Sequence, residues 1–280
     1  MSKPLALVAG IAKHTILDEV RQRSFVIMFA VCALGVFLVR GCYHGDYVVN
    51  GQYLDPGTVV RALSKAAFHV IGAGVMVIAA LLSMRVFRRD RNDGTQACVL
   101  SKPIARWQYV AGKILGVWVV SLLFMFLLHG IVFLITSLNA QVFMPEYLAA
   151  SLLCTINLLF VVIAAFLLSL LMPDIVAFLC VLGIGVAGFV ADGIAAASHS
   201  QMAQMVMRQP GASPHSDLTW WKTLYYAWPK LLGVQQGATS LLGDEPFHGF
   251  GSLYPFANVL LYCAILGAVL FWRFRSEEII

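Results

Sequence analysis

Apolar residues along this chain of 280 residues are gathered into long blocks separated by shorter polar segments. A helix that crosses a bilayer needs about 20 consecutive apolar residues. In a soluble domain, apolar residues instead recur with a period of 2 or 3.6 over shorter stretches. The pattern therefore predicts an all-α membrane protein with six transmembrane helices. Their expected boundaries are Ser24 to Val39, Ala66 to Met84, Ile114 to Ser137, Leu148 to Leu171, Ile175 to Ala197, and Pro255 to Trp272.

The segment 1–23 precedes the first block and has a different pattern. Leu5, Val8 and Ile11 recur at helical spacing, while charged residues fall largely on the opposite side. This arrangement is typical of an amphipathic helix that lies in the membrane interface. The alternative is that the segment simply extends the first span.

Two other connections differ sharply in length. Only Met172, Pro173 and Asp174 separate the fourth and fifth blocks, which predicts a tight helical hairpin. The segment 198–254 is long and rich in tryptophan and tyrosine just before Pro229, and such residues favour a membrane interface. We expect short helices there that lie on the outer leaflet or dip into it where protein covers their backbone.

Composition and charge agree with one membrane domain that covers residues 1–280. Hydrophobic residues make up 60% of the chain and charged residues 12%, far from the roughly 25% charged residues of soluble domains. The net charge of +5 comes from basic residues that flank apolar blocks, so it does not indicate nucleic-acid binding. Most of them lie on the side that holds both termini, which predicts a multi-pass protein of a bacterial inner membrane with both termini in the cytoplasm.

The cytoplasmic connection 85–113 carries the most informative local pattern. Arg85 to Arg91 continue the second helix out of the membrane, and Asn92-Asp93-Gly94 predicts its end. Thr95 is suited to cap a short helix that runs toward Ser101, and Lys102-Pro103 ends that helix. The sequence thus predicts a short, exposed, charged helix held between two long ones.

This connection resembles the region between the second and third helices of type-2 ABC export permeases, where an acidic, Gly-Thr, Leu-x-x-Pro, Arg, Gly-Lys series recurs. The matching residues are Asp90, Asp93, Gly94, Thr95, Leu100, Ser101, Lys102, Pro103, Ile104, Arg106, Gly112 and Lys113. The stretch 224–229, Leu-Tyr-Tyr-Ala-Trp-Pro, is similar to an element of the subgroup that includes sodium-extrusion and copper-maturation permeases.

The resemblance implies that the short helix is a coupling helix that docks into an ABC ATPase on a separate chain, with two ATPases driving two permeases. The second permease is another copy or a related one, and membrane lipid is a further partner. ATP and Mg belong to the ATPase, because this chain has no G-x-x-x-x-G-K-[ST] and needs no cofactor of its own. The implied coupling residues are Arg88, Arg89, Asp90, Arg91, Asp93, Gly94, Thr95, Lys102, Pro103 and Arg106.

Polar residues inside the apolar blocks are candidates for a transport pathway, because a buried polar group in a membrane is costly unless it serves a purpose. His129 and Asn157 are the main ones, and hydrogen bonding to a neighbouring helix is the plainer interpretation of both. Asp192 lies near the outer end of its helix, where we expect it to be solvated. Outside the membrane, soft ligands that could bind monovalent copper are grouped at His199, Met202, Met205 and Met207, although methionines at this spacing more often face lipid.

Two other functions fit a chain of six spans. An intramembrane enzyme or maturation factor would need a catalytic pair at one depth, but the sequence has no H-E-x-x-H and no paired intramembrane acids. A channel that works without an ATPase would leave the cytoplasmic pattern unexplained. The sequence favours a non-enzymatic permease subunit for export, and it does not indicate the cargo.

Overall fold

The structure, a computed structural model, describes residues 4–38, 40–41, 48–49, 52–53, 55–101, 104–139, 143–198, 228–242 and 250–276. Within these ranges the helices are α1 (Pro4–Val20), α2 (Arg23–Leu38), α3 (Pro56–Asn92), α4 (Thr95–Leu100), α5 (Arg106–Asn139), α6 (Glu146–Leu171), α7 (Asp174–Ser198), α8 (Leu231–Thr239) and α9 (Phe250–Arg275). A 3₁₀ turn, Ser240–Leu242, follows α8. Between α2 and α3, β1 (Val48–Val49) pairs antiparallel with β2 (Gln52–Tyr53), with Val48 opposite Tyr53.

The all-α membrane fold predicted from the sequence is confirmed. Five helices in the described residues are long and apolar enough to cross a membrane, namely α3, α5, α6, α7 and α9. The sixth expected span corresponds to α2, which has only 16 residues and is bent by 67° from α1. It counts as a span only if α1 and α2 together form one broken crossing.

Two spans are longer than their apolar blocks predicted. α3 has 37 residues and α5 has 34, so each measures roughly 50 Å or more at about 1.5 Å per residue. The hydrocarbon core of a bilayer is only about 30 Å thick. Both helices must therefore project beyond the hydrocarbon core, and the charged residues that ended the predicted blocks lie on these projecting turns.

The centre of the bundle is α6. Most of its apolar stretch is buried, and α3, α5, α7, α8 and α9 all pack against it. Small side chains at Ala150, Ala164 and Ala165 are fully or almost fully buried, which lets neighbouring helices approach closely. α7 and α9 are the least buried of the long helices and form much of the outer face.

α1 packs along the first turns of α5. A Cβ atom at Gly112 would lie 2.7 Å from the Ile11 Cβ, and one at Gly116 would lie 2.6 Å from the Thr15 Cβ. Both helices advance by four residues between these contacts, so they run in the same direction. The glycines make this contact possible, and they fix α1 against α5; its depth in the membrane interface stays a prediction.

The hairpin between the fourth and fifth predicted spans is confirmed. α6 ends at Leu171 and α7 begins at Asp174, with Met172 and Pro173 between them. The Met172 amide still donates to the Leu168 carbonyl at 3.0 Å, which completes the last turn of α6. Proline then stops the helix, because its ring cannot continue the hydrogen-bond ladder.

Candidate functional site

The short helix α4 occupies the position that the sequence predicted, directly after the projecting end of α3. Gly94 has φ of +67°, a conformation that favours glycine, and it turns the chain between the two helices. The Cys98 amide donates to the Gly94 carbonyl at 3.1 Å. Thr95 is thus the first residue of α4 and not the residue before it, and its side chain is exposed.

Asp90 does not lie on an accessible surface, contrary to the predicted contact with an ATPase. Only 3% of the residue is exposed. Its Oδ2 lies 2.6 Å from the Lys113 Nζ and accepts a hydrogen bond of 2.5 Å from the Tyr109 hydroxyl. The physical reason is the packing of α3 against α5, which brings a lysine and a tyrosine of α5 opposite this carboxylate.

The two arginines before Asp90 are also held by this chain. Arg89 Nη2 lies 2.9 Å from Glu19 Oε1, and the Glu19 side chain is only 3% exposed. Arg88 Nη1 lies 2.9 Å from Asp174 Oδ2 at the start of α7, in a pair that is largely open to solvent. The end of α3 is therefore connected by ion pairs to α1, α5 and α7.

The remaining predicted coupling residues fall into three groups. Asp93 is exposed beside Gly94 and Thr95, in the turn that leads into α4. Arg106 is the first residue of α5, and its Nη1 donates to the Arg275 carbonyl at 2.8 Å. The side chain of Arg91, together with Lys102 and Pro103, lies outside the described residues.

Sequence reasoning missed the partners inside the chain. Lys113 belongs to the Gly-Lys series, but neither its pair with Asp90 nor the pair of Glu19 of α1 with Arg89 was predicted from the sequence. One signal was available for Glu19. It lies four residues after Thr15, so both fall on the face of α1 that the structure buries.

A second polar region surrounds α8, which contacts α3 and α6 near the middle of their lengths. Asn157 Nδ2 donates to the Leu231 carbonyl at 2.8 Å, and His69 Nδ1 lies 3.0 Å from Gln235 Oε1. A Cβ at Gly72 would lie 2.7 Å from Gln235 Nε2, so the absence of a side chain there makes room for the glutamine. Side chains of α3 and α6 thus position this short helix.

Asp192 is buried, and the expectation that it is solvated is wrong. Its Oδ1 lies 2.9 Å from Lys230 Nζ, and its Oδ2 accepts a 3.3 Å hydrogen bond from the Gly233 amide. The pair fastens the start of α8 to α7, because the chain from residue 228 to α8 folds back into the bundle.

His129 and Asn157 do not meet in one site. His129 is fully buried, stacks on Phe68 with ring centres 4.5 Å apart, and lies with its Nδ1 2.8 Å from Ser151 Oγ. Asn157 is equally buried and binds the backbone of α8. In this conformation both residues join helices and neither is open to solvent, so their role in a pathway stays a prediction.

The copper candidates His199, Met202, Met205 and Met207 all lie outside the described residues. In the part of the chain that the structure does describe, no three His, Cys, Asp or Glu side chains are grouped in a way that could hold a metal ion.

A family model described as ABC-2 family transporter protein matches residues 9–279. The chain belongs to this family. Among curated proteins, no sequence was similar enough to count as a match. Membership makes the chain a multi-pass membrane permease of an ABC transporter, which is a transport component without catalytic activity of its own and is associated with ABC ATPase components.

The described residues of the permease thus contain two regions in which polar and charged side chains join several helices. One is the projecting end of α3 with α4, where buried ion pairs hold an exposed turn. The other is the polar enclosure of α8. The first is the better candidate for contact with an ATPase, because Asp93 and Thr95 are exposed there.

Proposed function

We propose that this permease forms an export pathway as a dimer in a bacterial inner membrane, with both termini in the cytoplasm, and that α4 is the helix on which a separate ATPase acts. The observation that carries the proposal is the contrast within seven residues of chain. Arg89 and Asp90 are held by ion pairs inside the permease, whereas Asp93 and Thr95 are exposed.

This contrast is what force transmission requires. A partner that moves α4 must move α3, because α4 follows α3 after a single tight turn at Gly94. The Asp90–Lys113 pair then connects α3 to α5, and the Glu19–Arg89 pair connects it to α1. A push on the exposed turn would therefore shift three helices together.

The surface left for the ATPase is smaller than the set of residues that the sequence suggested. We assign direct contact to Asp93, Gly94 and Thr95, together with the neighbouring Arg91, Lys102 and Pro103. Asp90 and Arg89 are positioning residues in this scheme. ATP and Mg bind the partner, whose hydrolysis supplies the free energy.

We place the second permease of the proposed dimer on the outer face of α7. Leu179, Val186 and Val190 on α7 are each about half exposed, and less than a fifth of the apolar stretch of that helix is buried within one chain. A second permease, either an identical copy or a related one, would cover part of this face. The pathway would lie where the two permeases meet, and its cargo is not indicated.

The experiment is co-purification with the ATPase. We assign Asp93 to a basic group of the ATPase, so Asp93→Arg places like charges at the interface and should reduce the retained ATPase by roughly tenfold. Glu146→Arg is the matched control: it makes the same reversal on an exposed residue at the other end of the bundle. Equal retention by both variants, each eluting as folded protein in gel filtration, would refute the assignment.

A further inference from the structure

A cleft separates the first turns of α5 from the last turns of α9. Its volume is about 720 Å³, within the range of roughly 300–1,000 Å³ that is typical of ligand sites. The residues around it are aromatic, aliphatic or cationic: Arg106, Trp107, Val110, Phe271, Trp272, Phe274 and Arg275. None of these cleft residues is acidic.

One wall of the cleft is fixed by aromatic packing. Phe274 is buried, and its ring lies 5.9 Å from that of Tyr109 and 5.6 Å from that of Phe87. Arg106 donates to the Arg275 carbonyl at 2.8 Å, which holds the end of α9 beside the start of α5. These contacts hold the two helix ends in place and so define the shape of the cleft.

The other wall faces away from the bundle. Trp272 is 73% exposed and Trp107 is 50% exposed. Tryptophan side chains are on average much more buried than this in proteins. Both lie where a spanning helix enters or leaves its apolar stretch, which is the level of the lipid headgroups. Their indole rings are thus suited to flank a lipid and not to meet bulk water.

Charge defines the kind of lipid. Arg106 and Arg275 line the cleft and Arg273 is exposed on the same helix end, so an anion is attracted to this level of the membrane. An arginine guanidinium can make two parallel hydrogen bonds to a phosphate. Glu277 and Glu278 follow in the sequence but lie outside the described residues.

We propose that this cleft binds an anionic phospholipid of the cytoplasmic leaflet, with its phosphate between Arg106 and Arg275 and its acyl chains along Trp107, Phe271 and Trp272. The proposal rests on the orientation given under Proposed function but not on the ATPase. It moves Arg106 from the set of ATPase contacts to a lipid site, because its side chain points to α9 and not to α4.

The test is native mass spectrometry of the purified permease with equal amounts of phosphatidylglycerol and phosphatidylcholine. Wild type should retain phosphatidylglycerol preferentially, and Arg106→Gln with Arg275→Gln should reduce that preference by roughly tenfold. The control, Arg23→Gln with Arg85→Gln, removes the same charge from two exposed arginines outside the cleft and should keep it. The doubly substituted Arg106→Lys, Arg275→Lys variant should lose part of the preference, since lysine cannot make the paired hydrogen bonds.

Three results would overturn the proposal. The first is an equal loss of preference in the cleft variant and in the control, which would mean that only overall charge matters. The second is retention of glycerol phosphate, which has no acyl chains, as strongly as phosphatidylglycerol. The third is loss of ATPase retention in the cleft variant with an unchanged lipid preference, which would make this surface part of the ATPase interface and leave the α4 assignment to its own test.

Discussion

The carboxylate of Asp90 and the ammonium group of Lys113 lie 2.6 Å apart between α3 and α5, and both side chains are almost fully buried. Tyr109 donates a further hydrogen bond to the same carboxylate oxygen. Charges in such surroundings require a partner, because desolvation costs several kcal/mol per ion. The pair thus fixes the distance between the two helices that hold α4.

Removing one member of this pair should destabilise the permease far more than removing a member of the exposed pair nearby. Asp90→Ala leaves the Lys113 charge buried without its carboxylate, at a cost of about 3–5 kcal/mol. Arg88→Ala breaks the pair with Asp174, in which the arginine side chain is 70% exposed, and should cost about 0–1 kcal/mol. Thermal unfolding in detergent measures both.

The double variant separates pairing from simple loss of side chains. Asp90→Ala combined with Lys113→Ala should be less destabilised than the sum of the two single variants, because no unpaired charge remains buried. Additive losses would show that the two groups do not interact in the folded permease.

The close contact between α1 and α5 predicts that a larger side chain at Gly116 of α5 destabilises the permease. Gly116→Val places new atoms against Thr15 and the Ala12 carbonyl, where the nearest heavy atom is already 2.6 Å from a Cβ. We expect a loss of about 1–3 kcal/mol from overpacking, and displacement of α1. Lys13 is exposed on α1, so trypsin cleavage after it requires only local unfolding of that helix and should be faster when α1 is displaced.

Gly130→Val in the same helix is the control for the contact between α1 and α5. A Cβ at Gly130 meets nothing within 4 Å, so the substitution should leave both stability and trypsin cleavage nearly unchanged. Similar behaviour of the two variants would contradict the close contact of α1 with α5.

The position of α8 can be tested by enlarging Gly72 of α3 and shortening Gln235 of α8, which face each other. Gly72→Ala forces the Gln235 amide to move, because a Cβ would lie 2.7 Å from its Nε2 atom. The variant should lower the thermal midpoint, and Gln235→Ala in the same chain should restore part of the loss by freeing that space. Gly74→Ala, which meets open space, should be neutral. Absence of any rescue would argue against this placement of α8.

The sequence predicted the spans well and the internal contacts poorly, for a physical reason. Hydrophobic blocks report how much of a helix is apolar, so α6 and α7 were found within about two residues of their limits. They do not report how far a helix continues beyond the hydrocarbon core. α5 therefore begins eight residues before Ile114, because Lys113 and Gln108 find partners within the protein.

The candidate site shows the same division. Gly94 and the short helix α4 follow from local turn chemistry, which a sequence displays directly. The burial of Asp90 and Asp192 depends on Lys113 and Lys230, which are 23 and 38 positions away in the chain and are recognisable as partners only once the helices pack. A charge pattern alone cannot distinguish a docking residue from one that is paired inside.

In the proposed complex, an ATPase contacts the exposed turn and α4, while the residues just before them are held inside the permease. A photoreactive amino acid at Thr95, compared with one at Glu146 on the other end of the bundle, tests it in membranes that contain both proteins. We expect a crosslink to the ATPase from position 95 and none from position 146. Failure of position 95 to crosslink in a complex that retains its ATPase would contradict it.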